Sequence, residues 1–367
     1  MENLLNIDPK IGNTHEQNIY QYKNLISPFC NHNVLRDLTC SNEIVVDKNY
    51  GLMYDKGILD KKVVPYGLQE MIPDYSGDEL ANYGFLRVPF RKIPRFLVKN
   101  RSEIDRFIES IEMRDNNLKL LYRGQSCEYF IQRNSEEKIS LFGSENILEP
   151  SLIPSAVRRN ILMEDIMPLW NSMLHLFLDR ITDSLPEGIK DETRKELTNF
   201  KSSLNFGLFS MAMAQHYGLP SVGLDATDKI EIALFFATHS FTKDGISCSY
   251  KYNLPQMRNA PVIYILTPPE RGQLNYEQFT PFHASFLRPD KQSARFLHTG
   301  WGLGMNTCAR RIWVALYLDP LGEFGNIAKT EELFPKVDDF AQHLEPLIQL
   351  FDGDKLKNYF ENFYVLS

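Results

Sequence analysis

Two hydrophobic periodicities run along this chain, and any fold must satisfy both. At helical spacing, Ile166, Trp170, Met173, Leu174, Phe177, Leu178 and Ile181 form one long stripe, the mark of a helix with one buried side. At strand spacing, residues 311–318 alternate Ile312, Val314, Leu316 and Leu318 against Trp313, Ala315 and Tyr317, and residues 261–267 form a short apolar run, as buried strands do. The expectation is an α+β protein with a mixed or antiparallel central sheet and flanking helices. No apolar run approaches the roughly 18 residues that a membrane span requires.

Other segments fill in the pattern. Short strands around residues 43–46 and 52–54 flank the turn Asn49-Tyr50-Gly51, which predicts a hairpin. Ile104, Phe107, Ile108 and Ile111 predict a helix over 102–113, with Ser102 and Asp105 as its cap. A strand over 118–122 is expected to end at Arg123-Gly124-Gln125. Residues 204–217 read as a helix stopped by Gly218 and Pro220. A strand over 222–224 follows, and Asp228 with Glu231 reads as a capping box for the next helix. Residues 331–360 read as one or two helices. The division predicted is an accessory N-terminal region over 1–100, a main domain over 101–325 and a C-terminal helical segment over 326–367.

Composition excludes several classes. Among 367 residues, 47 Asp and Glu outweigh 40 Lys and Arg, a net charge of −7. No Lys and Arg block offers a surface for broad nucleic-acid binding, although a local basic cleft is compatible with that average. The five cysteines are odd in number, scattered and never in a C-x-x-C pair, so neither a disulfide framework nor a zinc site is expected. No metal, membrane association or secretion is expected, and the location expected is cytoplasmic. A G-x-x-x-x-G-K loop is absent, and no acidic cluster stands ready for Mg²⁺. The glycine-rich stretch 300–304 reads as a flexible loop over a cleft.

Four separated pieces carry chemical information: Tyr122-Arg123-Gly124-Gln125; Glu149-Pro150-Ser151-Leu152 with Arg158 and Arg159; Gln215-His216-Tyr217-Gly218 followed by Asp225-Ala226-Thr227; and Arg288, Gln292, Ala294 and Phe296. Arg123 offers a planar fork of donors suited to phosphate, and Gly124 would let a ligand approach the backbone. The alternative is that Arg123 pairs internally with an acid such as Asp225. His216 suits either hydrogen bonding to a ribose or helix capping, and Tyr217 either stacking or packing. Asp225 and Thr227 also suit the entry to the following helix.

These pieces resemble the FRG-domain family, named for a Phe-Arg-Gly tripeptide, over roughly residues 100–320. Val222 and Ala226 stand where members usually carry a basic residue and Trp, and Ala294 where Gly is usual. The layout is also similar, more loosely, to ADP-ribosyltransferases. That similarity implies an NAD-handling fold in which Arg123, His216 and Gln292 are catalytic. Tyr122, Gly124, Gln125, Gln215, Tyr217, Asp225, Thr227 and Arg288 would then bind NAD or a related nucleotide. Those enzymes carry a glutamate where Gln292 stands, so either the site binds without turnover or another acid, Asp290, Asp225 or Glu128, supplies the charge. Two functions follow as expectations. One is an NAD-cleaving or ADP-ribose-transferring enzyme in bacterial stress or anti-phage defence. The other is a non-catalytic sensor of a nucleotide or protein partner.

Overall fold

The computed structural model describes residues 44–55, 64, 66, 80–114, 119–161, 163–244, 247–256, 260–267, 273–275, 287–298, 304–325, 327–350 and 359–366. Cys30, Cys40 and the glycine-rich residues 300–303 lie outside them, as does most of the polar N-terminal stretch.

The order of elements is β1 (Ile44–Asp47), β2 (Leu52–Asp55), β3 (Ala81–Val88), β4 (Arg91–Asn100), α1 (Arg101–Arg114), β5 (Leu121–Gln125), α2 (Ser135–Phe142), α3 (Ser155–Arg158), α4 (Met163–Ser184), α5 (Glu187–Lys201), α6 (Leu204–His216), β6 (Gly223–Thr227), α7 (Ile230–Thr238), β7 (His239–Asp244), β8 (Ser247–Tyr252), β9 (Val262–Leu266), β10 (Gln273–Asn275), α8 (Leu287–Lys291), β11 (Ala294–His298), β12 (Ile312–Glu323), α9 (Thr330–Leu333), α10 (Asp339–Leu350) and β13 (Val365–Leu366). Among the described residues, eight strands form one sheet in the order β10-β11-β6-β5-β9-β12-β4-β3. Every adjacent pair is antiparallel except β12 with β4, which is parallel. The chain is an α+β protein with a mostly antiparallel, partly parallel central sheet flanked by helices.

Alternation of side chains across the sheet separates two cores. Tyr122, Ile263, Ile265, Val314, Leu316 and Leu318 pack on α1 and α7, and beside them Phe296 packs on α4, α6 and α10. On the opposite face, Leu121, Tyr264, Leu266, Ala315 and Tyr317 pack on Tyr50, Tyr66 and α2. The tight β1–β2 hairpin turns at Gly51 (φ +66°), a left-handed conformation that glycine adopts without strain;. It is tied to the rest by Arg133, which donates to Asp47 (2.8 Å) and to both oxygens of Glu149 (2.8 and 3.0 Å), all three side chains nearly inaccessible. Asn306, fully buried, accepts from Leu152 N (2.6 Å) and donates to the Pro150 carbonyl (2.8 Å). Glu149 and the Pro150-Ser151-Leu152 turn therefore anchor the β1–β2 hairpin and the Asn306 loop.

Several local expectations differ from the structure for identifiable reasons. The strand at Arg123 runs to Gln125, so the Arg-Gly pair lies inside β5 and not at its exit. Residues 81–100 carry two long strands of the main sheet, paired with each other and with β12. Prolines such as Pro94 obscure their periodicity while sitting in an extended conformation they tolerate. The cap of α1 is Asn100, whose side chain accepts from Glu103 N (3.0 Å), while Glu103 accepts from Lys99 N (2.7 Å). Asp228 pairs with Arg295 (2.6 Å) and does not cap α7. Among the described residues no helix is long and apolar enough to cross a membrane.

Candidate functional site

The register of the sheet decides which predicted residues can meet. Arg123 on β5 stands opposite Tyr264 on β9, Tyr264 opposite Ala315 on β12, and Ala315 opposite Arg95 on β4. Tyr122 stands opposite Thr227, so the next antiparallel pair sets Arg123 against Ala226 on β6. One row on a single face thus reads Ala226, Arg123, Tyr264, Ala315, Arg95. At a strand spacing of about 4.8 Å, Arg123 and Arg95 are roughly 14 Å apart along it. Both alanines are buried in the core on this face. Gln125 lies on the same face, two residues from Arg123.

This face carries polar atoms with no hydrogen-bond partner among the described residues. Arg123 Nη1 donates to the backbone carbonyl of Asp225, while its Nε is buried with no hydrogen-bond partner among the described residues. The same holds for Gln125 Oε1, the Tyr264 hydroxyl and Arg95 Nε. Buried unpaired polar atoms cost about 1–3 kcal/mol each, and these four lie on one face of the sheet. Burial lowers the Arg123 pKa; the Asp225 carboxylate opposes this and Arg158 reinforces it. The net shift is downward because burial outweighs the attraction of Asp225. Arg158 is exposed and forms no ion pair among the described residues.

At the other end of the row, Arg95 packs against the rings of Tyr317 (4.4 Å) and Tyr83 (4.9 Å), which also touch each other (5.0 Å between centroids), and pairs with Glu128 (3.3 Å). Tyr317 donates its hydroxyl to the second Glu128 oxygen. Burial raises the Glu128 pKa to about 7, against the attraction of Arg95. Arg95, Tyr264 and Tyr317 were not singled out in the sequence. The signals were a tyrosine interrupting the apolar run 262–266 and an arginine inside an apolar strand.

The remaining predicted residues lie elsewhere. Tyr122, Gly124 and Thr227 are on the face of α1 and α7. Tyr122 borders an open groove of about 410 Å³ with Arg101, Asp105, Glu109, Asp228 and Glu231, and burial raises its pKa. A Cβ on Gly124 would lie 1.8 Å from the Ala233 carbonyl oxygen, so this glycine is required by helix packing. Thr227 accepts from Lys229 N (3.2 Å). Gln215 accepts from Ser155 (3.2 Å).

His216, Asp225, Gln292, Arg288 and Tyr217 form a second cluster, behind β6. His216 Nε2 lies 3.4 Å from Asp225 Oδ1; burial lowers its pKa despite Asp225, with Arg288 adding to the lowering and a Gln292 hydrogen bond opposing it. Arg288, 1% exposed, donates to the His216 carbonyl (3.0 Å), approaches Asp338 (3.5 Å) and packs on the rings of Tyr217 (4.2 Å), Tyr364 and Phe334. Tyr217 donates to Asp338 (2.9 Å), and Gln292 to the Leu333 carbonyl (3.3 Å). These contacts knit α6, α8 and the C-terminal segment together. Of the predicted residues, Arg123 and Gln125 alone share a face with the unpaired groups. Asp225 links the two clusters, its carbonyl on Arg123 and its carboxylate near His216.

Among the described residues no group of three or more His, Cys, Asp or Glu side chains is arranged to hold a metal ion. No curated protein matches the chain, and no solved structure does. A family model does match, from residue 119 to residue 245, taking in Arg123, Gln125, Glu128, Arg158 and the 215–227 block; its description is the FRG domain, and the chain carries an FRG domain over those residues.

Proposed function

We propose that the Arg123 face of the sheet binds a nucleotide of the NAD and ADP-ribose class, with its phosphates at Arg123 and Arg158. The observation that supports this reading is the set of four buried polar atoms on Arg123, Gln125, Tyr264 and Arg95 that have no hydrogen-bond partner among the described residues. Their chemistry runs in order along the row. A buried guanidinium suits phosphate oxygens, which it can meet with two parallel hydrogen bonds. The Gln125 carbonyl and the Tyr264 hydroxyl suit ribose hydroxyls. The Glu128 and Arg95 pair, beside two tyrosine rings, suits a polar aromatic ring system or a terminal sugar. A lone phosphate would satisfy the Arg123 end and leave the rest unpaired.

Titration calorimetry with ADP-ribose, NAD, AMP and inorganic pyrophosphate tests this. ADP-ribose and NAD are expected to bind more tightly than pyrophosphate. Arg123→Gln is expected to weaken them by about 10- to 100-fold, which corresponds to losing a charged hydrogen bond. Arg123→Lys keeps the charge but loses the fork, and falls between. Wild-type affinity in Arg123→Gln with an unchanged melting temperature would refute the assignment, as would a wild-type protein that binds none of the four compounds.

A further inference from the structure

We propose that the carboxylate of Glu128 accepts the proton when the bound nucleotide is cleaved by water at its N-glycosidic bond, a step that rests on the nucleotide-binding reading above. Glu128 lies three residues beyond Gln125, and its side chain is 8% exposed. Two donors fix its orientation, Tyr317 on one oxygen and Arg95 (3.3 Å) on the other. Arg95 in turn packs against the rings of Tyr317 and Tyr83. The charged and titratable groups facing Glu128 are Arg95 from β4, Tyr317 from β12 and Tyr264 from β9. The Tyr264 hydroxyl feels both Glu128 and Arg123, so the carboxylate and the phosphate end flank one buried tyrosine. Asp47 and Glu149, the other buried carboxylates on this side, are both occupied by Arg133.

The chemistry balances without a further reactant. The bond between ribose C1′ and the base nitrogen breaks, and its electron pair leaves with the nitrogen; in NAD this neutralises the pyridinium. Water oxygen forms the new bond to C1′ and gives its proton to Glu128, which later releases it to solvent. The products are nicotinamide and ADP-ribose. A base is most effective with a pKa near the working pH, and burial brings Glu128 to about 7.

The full chain is incubated with NAD and nicotinamide release is followed across pH 5.5–9, with ADP-ribose binding measured in parallel. Wild type is expected to turn over, its rate rising through about pH 7. Glu128→Gln is expected to lose some affinity for ADP-ribose, because Glu128 also lines the binding row, and at saturating NAD to release nicotinamide at least ~100-fold more slowly. Tyr317→Phe keeps the ring and removes a donor to the carboxylate, so its rate inflection moves to higher pH. The proposal falls if Glu128→Gln turns over within tenfold of wild type. It falls equally if the profile is flat near pH 7, or if wild type binds ADP-ribose and never releases nicotinamide. Absence of ADP-ribose binding by wild type overturns the nucleotide reading itself, and this step with it.

Discussion

Replacing Gly124 with alanine puts a methyl group against the backbone of α7. The added Cβ would lie 1.8 Å from the Ala233 carbonyl oxygen, 2.8 Å from its carbon and 2.9 Å from Ala237 N, so it meets both ends of one helical hydrogen bond. Ordinary contact needs about 3.5 Å, which requires the helix to recede by roughly 1.7 Å. Ala233, Leu234 and Ala237 would then lose close packing with Tyr122, Ile263 and Ile265. Overpacking of this kind costs about 1–3 kcal/mol, and more where the obstacle is backbone and not a movable side chain. About 3 kcal/mol is expected, or a fall in melting temperature of roughly 6–9 °C at 2–3 °C per kcal/mol. Gly207→Ala is the control: its Cβ would be 2.6 Å from Met167 Cε, the tip of a flexible chain that can move aside, so the loss is smaller. Urea unfolding and thermal melts of both variants make the comparison. A Gly124→Ala protein as stable as wild type refutes the packing argument, and one that is stable but no longer binds ADP-ribose would make Gly124 a ligand contact.

Arg133→Ala leaves Asp47 and Glu149 as buried, unpaired carboxylates, and a loss of about 3–5 kcal/mol is expected in urea unfolding; a loss below 1 kcal/mol would mean that the hairpin does not depend on it. His216 is kept neutral by burial, its folded pKa lying below the ordinary value of 6.5. Between those values the unfolded chain binds a proton that the folded one does not. Stability from this group is therefore full above about pH 6.5 and declines as pH falls below it, and melts between pH 7 and 5.5 should show a shallower decline for His216→Gln. Glu128 has the opposite sign. Its folded pKa of about 7 against an ordinary 4.5 means that the folded chain holds the extra proton, so its contribution is full below about pH 4.5 and lost as pH rises to 7. The cost of ionising it amounts to about 3 kcal/mol. Glu128→Gln should therefore be more stable than wild type at pH 8 and little different at pH 5, and equal stability at pH 8 would contradict the buried carboxylate.

Local pattern was enough for the elements whose stability is itself local. The stripe from Ile166 to Ile181, the Gly218 helix stop, the β1–β2 turn and the alternation in β12 are all legible because period, caps and turns are properties of neighbouring residues. The α+β class and the FRG signature around Arg123 were legible for the same reason. The site was not, because a sheet divides its residues by parity and by register. Arg123 and Gly124 are adjacent in sequence, yet one side chain faces a polar row while the other position touches a helix. His216, Arg288 and Gln292 share a motif set with Arg123, yet the fold buries them behind β6 among Asp338, Tyr217 and Tyr364. Arg95, Tyr264 and Tyr317 come from three distant strands and gain meaning only when pairing puts them on the face that carries Arg123. Sequence alone determined the elements with a strong local period, such as α4 and β12, and that Arg123 is a residue to watch; long-range strand pairing, which no local signal encodes, decided which side chains share its face.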